Sequence, residues 1–267
     1  MFTKVGIIGI GVLGSAISEF FKSRVVSVIC YDKYKNIGSV DDVSACEVVF
    51  LCLPTEFDSI RGTYDTSEID AICESLHLLK FRGLIILKST VVPYTSLNLA
   101  SKYPSLHIIH NPEFLSERTA LQDFTNQSHI VLGIMEFTPQ YLIDSTLAFF
   151  KYHFENAEIS VCMSYESESM KLFCNSAYAV KIHFMTELKI LCDSMNMNYS
   201  RISQLMVRNG WINPNHMQIP GHDGLLSYGG RCLPKDSRAL LELMRGMGTP
   251  SSLLEATIKE NEQIRKT

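Results

Sequence analysis

The nine residues YGGRCLPKD, positions 228–236, set one thiol, Cys232, beside two glycines, a cation and a carboxylate. That grouping suits a nucleophile. The paired glycines Gly229 and Gly230 would let a bulky substrate approach the backbone, and they permit the positive φ of a tight turn. Pro234 fits the first turn of a helix predicted over residues 235–247, so the thiol stands just ahead of the helix's positive end, a position that favours the thiolate. The plainer alternative is a glycine-rich loop that happens to contain one of eight cysteines.

A second chemical signal opens the chain. An apolar run over residues 4–8 leads directly into Gly9, Gly11 and Gly14, followed by a helical pattern with Leu13, Ile17, Phe20 and Phe21 at its apolar positions. In a strand–turn–helix of this kind the first glycine allows the tight turn. The second lets a pyrophosphate touch the backbone, and the third packs helix against strand. The phosphates would rest on the helix N-terminus, so Gly9, Gly11, Val12, Leu13 and Gly14 form the expected cofactor turn. A further β-rich run, residues 25–31, ends in Asp32, eighteen residues after Gly14. A carboxylate there accepts from an adenosine ribose, which favours NAD over NADP. The alternative is a glycine-rich turn without ligand.

The elements that would position these groups follow from periodicity. Apolar runs at 48–53, 84–87, 107–109, 130–132 and 159–162 predict strands of a parallel sheet covered on both faces. Such sheets bind ligands beyond the carboxyl ends of their strands, where this chain places Pro54–Thr55, Ser89–Thr90 and Asn111–Pro112–Glu113. Near residue 163 strand-like sequence gives way to long helices. Residues 164–195 read as one helix with a stripe of Phe173, Ala177, Val180, Phe184, Leu188, Leu191 and Met195, and with Tyr178, Ile182 and Met185 opposite. A helix apolar on both sides is buried in a core or at a subunit interface. Lys171 and Asn175, four apart, point away from the main stripe as a pair, toward a ligand or simply toward solvent.

The expectation is therefore an α/β chain: a Rossmann-like, doubly wound parallel sheet over residues 1–163, then an all-helical dimerisation and substrate domain over residues 164–267. A net charge of −4 argues against a nucleic-acid surface. The cysteines, at 30, 46, 52, 73, 162, 174, 192 and 232, form no CxxC pair, and no histidines cluster at zinc-site spacing. No metal is expected. Reduced thiols fit a cytoplasmic protein. The apolar N-terminus is too short and glycine-rich for a membrane span, and no cleavage site follows a charged segment.

Five motifs, in order, carry a resemblance: GIGVLGSA with Asp32, FLCLPTEFD, STVVPYT, HNPEFLSERTALQDF, and ESESMKLFCNSAYAVKIHFMTEL followed by the YGGRCLPKD loop. Together they resemble the UDP-glucose/GDP-mannose dehydrogenase family over nearly the whole chain. The resemblance implies two successive NAD-dependent oxidations of a nucleotide sugar's C6 alcohol to a uronate, with UDP-glucose as the default substrate. It makes Cys232 the nucleophile that traps the aldehyde as a thiohemiacetal. It makes Glu113, with Thr90 and Asp236 acting through ordered water, the group that drives thioester hydrolysis. Lys171 and Asn175 become the oxyanion stabilisers. Pro54, Thr55, Ser89 and Thr90 would line the cofactor. Phe114, Leu115, Tyr228, Gly229, Gly230 and, as a second acid, Glu117 would meet the sugar.

The chain departs from the family pattern at Tyr228 and Arg231, where phenylalanine and a small residue are common. Trp211 stands where an arginine is often found. It also ends at Thr267, where relatives continue into a second Rossmann-like domain. A homodimer built on the 164–195 helix is expected, with a separate chain as one way to supply the nucleotide lid. Two other readings stay open: a catalytically weak NAD-binding dimerisation module that needs such a partner, and a two-electron reductase of the β-hydroxyacid type.

Overall fold

The computed structural model describes residues 2–24 and 26–266. Val25, where the sequence starts its second strand, lies outside the described residues, as do Met1 and Thr267. The chain divides into two compact units, Met1–Glu56 with Asp65–Lys171 and Phe57–Tyr64 with Leu172–Thr267. The sequence offers no signal for this excursion, because residues 57–64 lie well inside the span 1–163.

The first unit is built on strands β1 (Lys4–Ile8), β2 (Ser27–Tyr31) and β3 (Val48–Leu51). After the short strands β4 (Phe57–Asp58) and β5 (Thr63–Tyr64), which belong to the second unit, come β6 (Leu84–Leu87), β7 (His107–His110), β8 (His129–Ile134) and β9 (Glu158–Met163). The sheet order is β2-β1-β3-β6-β7-β8-β9. All neighbours pair in parallel except β7 and β8, which meet antiparallel at His110 and Gly133. The expected parallel sheet is present with this one antiparallel pair, which the sequence does not signal: apolar runs report burial, which is the same for either strand direction.

Successive side chains alternate between faces. Val49, Leu51, Ile85, Leu87 and Ile108 enter one core cluster, and Val48, Phe50, Leu84, Ile86 and Ile109 enter another. Two buried faces are what continuous apolar strands require. Helices α1 (Val12–Ser23), α2 (Val40–Ser44), α3 (Ser67–Leu78), α4 (Thr95–Lys102), α5 (Ala120–Thr125) and α6 (Gln140–His153) connect the strands. Because β2 and β3 flank β1 on opposite sides, the strand order reverses at β1, the place where sheets of this kind bind ligands beyond the carboxyl ends of their strands.

The last long helix of the first unit, α7 (Ser164–Ser194), begins there and ends in the second. The second unit adds α8 (Tyr199–Arg208), α9 (Leu233–Gly246), α10 (Ser252–Ile264) and the β4–β5 hairpin. Its core includes Met185, Cys192, Tyr199, Met217 and Ile219. On α7 the polar or small residues Asn175, Ser176, Ala179, His183 and Thr186 are buried. Of the two apolar sides read on this helix, the main stripe is largely open, with Phe173, Phe184, Leu191 and Met195 all at least half exposed. Periodicity marked the stripe but not the side that the chain itself covers.

One buried polar group makes the fold acid-sensitive. His153 is 3% exposed, ringed by Phe21 and Phe149 at 5.0 and 4.7 Å, and its Nδ1 has no hydrogen-bond partner. Burial, with Arg24 nearby, pushes its pKa down to about 4. The native ring thus stays neutral while the unfolded chain takes up a proton below about pH 6.5. Its contribution to stability is present above that pH and is lost as the pH falls toward 4. In urea unfolding, His153→Phe should gain on the wild type by up to ~2 kcal/mol more at pH 4.5 than at pH 7. An equal difference at both pH values would contradict this account.

Candidate active site

The glycine turn has the geometry its sequence requires. Gly9 stands at φ +88°, and its N–H donates to the Tyr31 carbonyl at 2.9 Å. A Cβ on Gly14 would stand 1.9 Å from the Gly9 carbonyl oxygen, so only glycine lets α1 pack there. A Cβ on Gly11 would meet nothing within 4 Å. Gly11 is also the N-cap of α1 and provides no side-chain cap, which leaves first-turn N–H groups for a ligand. Asp32 closes the turn from β2: its carboxylate accepts from the Ile10 N–H at 2.8 Å and from the Tyr34 and Lys35 N–H groups. A carboxylate offers about four acceptor sites, so one remains for a ribose hydroxyl. Val12 is half exposed at the mouth of the turn, and Leu13 packs into the core. These residues fit a dinucleotide.

Hydroxyls fasten the neighbouring strand ends to one another. Thr55 Oγ1 donates to the Thr90 carbonyl at 2.6 Å, and Ser89 Oγ to the Leu53 carbonyl at 2.7 Å, while Pro54 is exposed between them.

Beyond β7, a polar cluster forms around the loop after His110. Lys171, 4% exposed on α7, donates to the Glu113 carbonyl oxygen and pairs with the Glu113 carboxylate at 3.3 Å. Its ammonium lies 4.7 Å from the Phe114 ring centroid. The Glu113 carboxylate also accepts from the Leu115 N–H at 2.6 Å. The structure therefore brings Glu113, Phe114, Leu115 and Lys171 together, while Glu117 is exposed farther along the loop with no hydrogen bond or ion pair among the described residues.

Sequence reading missed the residue beneath this cluster. Lys88 is buried, donates to Asn111 Oδ1 at 2.8 Å and to the Pro112 carbonyl at 3.3 Å, and so holds the two residues before Glu113. Burial pulls its pKa down to about 8. A signal was available: a lysine directly after the four apolar residues of β6 cannot easily reach solvent.

In the second unit Cys232 is the N-cap of α9, exposed, with Pro234 inside the first turn. The helix starts two residues earlier than predicted, which sets the thiol directly at its positive end. One turn on, Asp236 is fully buried and takes three donors: Tyr64 Oη at 2.5 Å, Asn175 Nδ2 at 2.6 Å and Lys235 Nζ at 2.7 Å. Lys235 also lies over the Tyr64 ring at 4.4 Å. Burial, then the Asp236 charge, pushes the Tyr64 pKa far above its ordinary value, so this phenol stays protonated and donates to Asp236. Tyr64, 172 positions from Asp236, had no local sequence signal.

The two glycines of the loop differ. Gly230, at φ +75°, faces open space, whereas the side of Gly229 where a Cβ would point is filled by the Arg265 guanidinium at 2.7 Å. Tyr228, expected to meet substrate, is 2% exposed and anchors the loop in the interior. Its burial is satisfied by apolar contact of the ring and a hydrogen bond with Ser237.

Comparison with known proteins identifies the family. Residues 35–146 match the model of the UDP-glucose/GDP-mannose dehydrogenase family's NAD binding domain, and residues 165–263 match that of its central domain. The glycine turn and Asp32 precede the first match and stand on their own geometry. UDP-glucose 6-dehydrogenase of Campylobacter jejuni subsp. jejuni serotype O:2 is 30% identical over 217 residues, which cover 81% of this chain and 52% of the relative. The enzyme of that name from Rickettsia felis is 31% identical over 242 residues, covering 86% and 51%. The chain spans about half the length of the curated relatives it matches.

Among solved structures, a UDP-glucose dehydrogenase from Pyrobaculum islandicum superposes with a TM-score of 0.86 at 20% identity, covering 98% of this chain and 68% of that one. A 3-hydroxyisobutyrate dehydrogenase of Mycobacterium tuberculosis gives 0.76 at 15%, covering 98% and 94%. At such identities the likeness establishes the fold alone. With both of its family's domain models matched in order over most of its length, the chain belongs to the UDP-glucose/GDP-mannose dehydrogenase family.

Proposed function

We propose that this chain carries the NAD site and the covalent machinery for four-electron oxidation of a nucleotide sugar's C6 alcohol to the acid. The observation that carries the reading is Cys232 at the N-cap of α9, one turn from the buried Asp236–Asn175 pair, in a chain of this family. UDP-glucose is the default substrate, because the curated relatives bear its name. Two NAD molecules, held in succession by the Gly9–Gly14 turn and Asp32, would each accept one hydride.

The residues would act as follows. Once the alcohol carbon has become an aldehyde, the Cys232 thiolate adds to it, and the new alkoxide takes up a proton to give a thiohemiacetal. Lys171 and Asn175 stabilise the oxyanion as it forms. Loss of the second hydride from carbon, together with the hydroxyl proton to water, leaves a thioester on Cys232. Glu113 then takes a proton from water, whose oxygen adds to the thioester carbon, and the C–S bond breaks to release the acid and return the thiolate. Thr90 and Asp236 assist through ordered water, and Phe114, Leu115, Glu117 and Gly230 contact the sugar. A thiol with these duties works in a reducing compartment, which favours the cytoplasm. No helix among the described residues is long and apolar enough to cross a membrane.

The exposed stripe of Phe173, Phe184, Leu191 and Met195 supports a homodimer closed along α7. Light scattering should give twice the chain mass at micromolar concentration, and Phe184→Glu should shift it toward the monomer. A wild-type monomer would exclude the dimer.

The fold alone also fits a two-electron reductase, whose chemistry has no use for the thiol; stoichiometry separates the two. With a nucleotide sugar that turns over, among UDP-glucose, UDP-N-acetyl sugars and GDP-mannose, two NADH should form per substrate, with no aldehyde released. Cys232→Ser should abolish acid formation, and Glu113→Gln should accumulate a thioester adduct visible by intact-protein mass spectrometry. One NADH per substrate would exclude the trapped mechanism. Inactivity on every sugar, with NAD bound, would favour the module that needs a partner chain for its lid.

Calorimetry should show NAD bound more tightly than NADP, since Asp32 repels a 2′-phosphate. Gly11→Ala should fold normally yet lose at least about tenfold in NAD affinity, because its methyl enters the space a pyrophosphate would use. Equal affinities for the two cofactors would overturn the role of Asp32.

A further inference from the structure

The segment leading to Cys232 is held by side chains from two helices of the second unit. Ser227 is 2% exposed and sits at φ +60°, a left-handed conformation uncommon outside glycine. All its polar groups are held by side chains. Its N–H donates to Thr186 Oγ1 at 3.0 Å, its hydroxyl is 2.9 Å from His183 Nδ1, and its carbonyl accepts from Arg265 Nη2 at 2.6 Å. His183 and Thr186 come from α7 and Arg265 is the C-cap of α10. The other arm of the guanidinium donates to Asp223 Oδ2 at 2.6 Å, so one planar fork spans the loop from residue 223 to residue 227. The same fork fills the space beside Gly229, where a Cβ would lie 2.7 Å from Nη1 and 2.8 Å from Cζ. From α10, Glu260 reaches back to His183 Nε2 at 2.9 Å.

We propose that Arg265 is a positioning residue for Cys232: its guanidinium sets the path of residues 223–230 and thereby holds the thiol at the N-terminus of α9, and Gly229 is glycine in order to admit it. The proposal rests on the reading of Cys232 as the nucleophile. Arg265 contacts no reacting atom in this account. It acts by fixing where the chain enters α9, and a thiolate gains from the helix's positive end only within the first turn. Lysine could replace the charge but not the fork, because a single ammonium on a flexible stem does not hold two acceptors in one plane.

The test is the pH dependence of Cys232 alkylation by iodoacetamide, followed by peptide mass spectrometry on the full chain, with thermal melts alongside. The wild-type thiol should react fastest among the eight cysteines and keep its rate to lower pH than a reference peptide thiol. Arg265→Ala, Arg265→Lys and Gly229→Ala should each cut the rate at pH 7 by about three- to tenfold and move its half-maximal pH upward toward the peptide's. The double variant Gly229→Ala with Arg265→Ala should be no slower than either single one, because the alanine methyl and the guanidinium compete for one space. A merely structural residue would lower the melting temperature without moving the pH profile. Should Arg265→Ala fail to fold, Gly229→Ala in the otherwise native chain makes the same test.

Wild-type-like profiles in the folded single variants, recovery in Arg265→Lys, or additive losses in the double variant would each overturn the role of Arg265 while leaving Cys232 as the nucleophile. A wild-type thiol that reacts like the peptide would instead overturn the nucleophile reading, and the proposal with it.

Discussion

The second unit is organised around one buried negative charge. A carboxylate removed from water is tolerated only when donors replace its hydration, and Asp236 has three, from the β4–β5 hairpin, from α7 and from its own helix α9. Removing one partner from such a network costs about 3–5 kcal/mol, because the remaining charge stays buried. Each donor therefore fixes its own element: Tyr64 the hairpin, Asn175 the middle of α7 and Lys235 the start of α9. Cys232 lies one turn before this carboxylate, so the network that secures the fold also sets the thiol at a helix N-terminus.

The first unit uses the same principle at the carboxyl ends of its strands. Lys88 holds Asn111 and the Pro112 carbonyl, and Asn111 Nδ2 in turn donates to the Val131 carbonyl on β8 at 2.8 Å. On α7, the buried Glu168 accepts from the Ser96 N–H at 2.8 Å, in the first turn of α4. One turn below Glu168 in the sequence, Lys171 holds Glu113. Buried charges on rigid elements thus pin the loops after β6 and β7, where side chains for chemistry are gathered. A loop carboxylate such as Glu113 gains a fixed position without losing its access to water.

Local sequence carried much of this, and its limits have physical reasons. The glycine turn was legible because each glycine answers a short-range steric demand: positive φ at Gly9, open space at Gly11 and the close Gly9 carbonyl at Gly14. The sheet strands were legible from apolar runs, but the reversal at β8 was not, since burial has no direction. The apolar stripe on α7 was legible, but which side the chain's own core covers was not, because a helix with Phe184 on one side and Met185 on the other could turn either way. Tyr64 and Arg265 were invisible for another reason. Their partners Asp236 and Ser227 lie 172 and 38 residues away, and no local pattern links them. Gly229 was recognised as a residue that makes room, although what it makes room for is the protein's own arginine.

The central claim is that Asp236 unites three elements, and hydrogen exchange in Asp236→Asn tests it directly. The substitution keeps the size of the side chain and turns one acceptor into a donor facing donors. Amides of the β4–β5 hairpin, of α7 around Asn175 and of the first turn of α9 should all exchange faster by a similar factor, while those of β1, β3 and β6 keep their protection. Faster exchange confined to α9, with the hairpin and α7 unchanged, would contradict it.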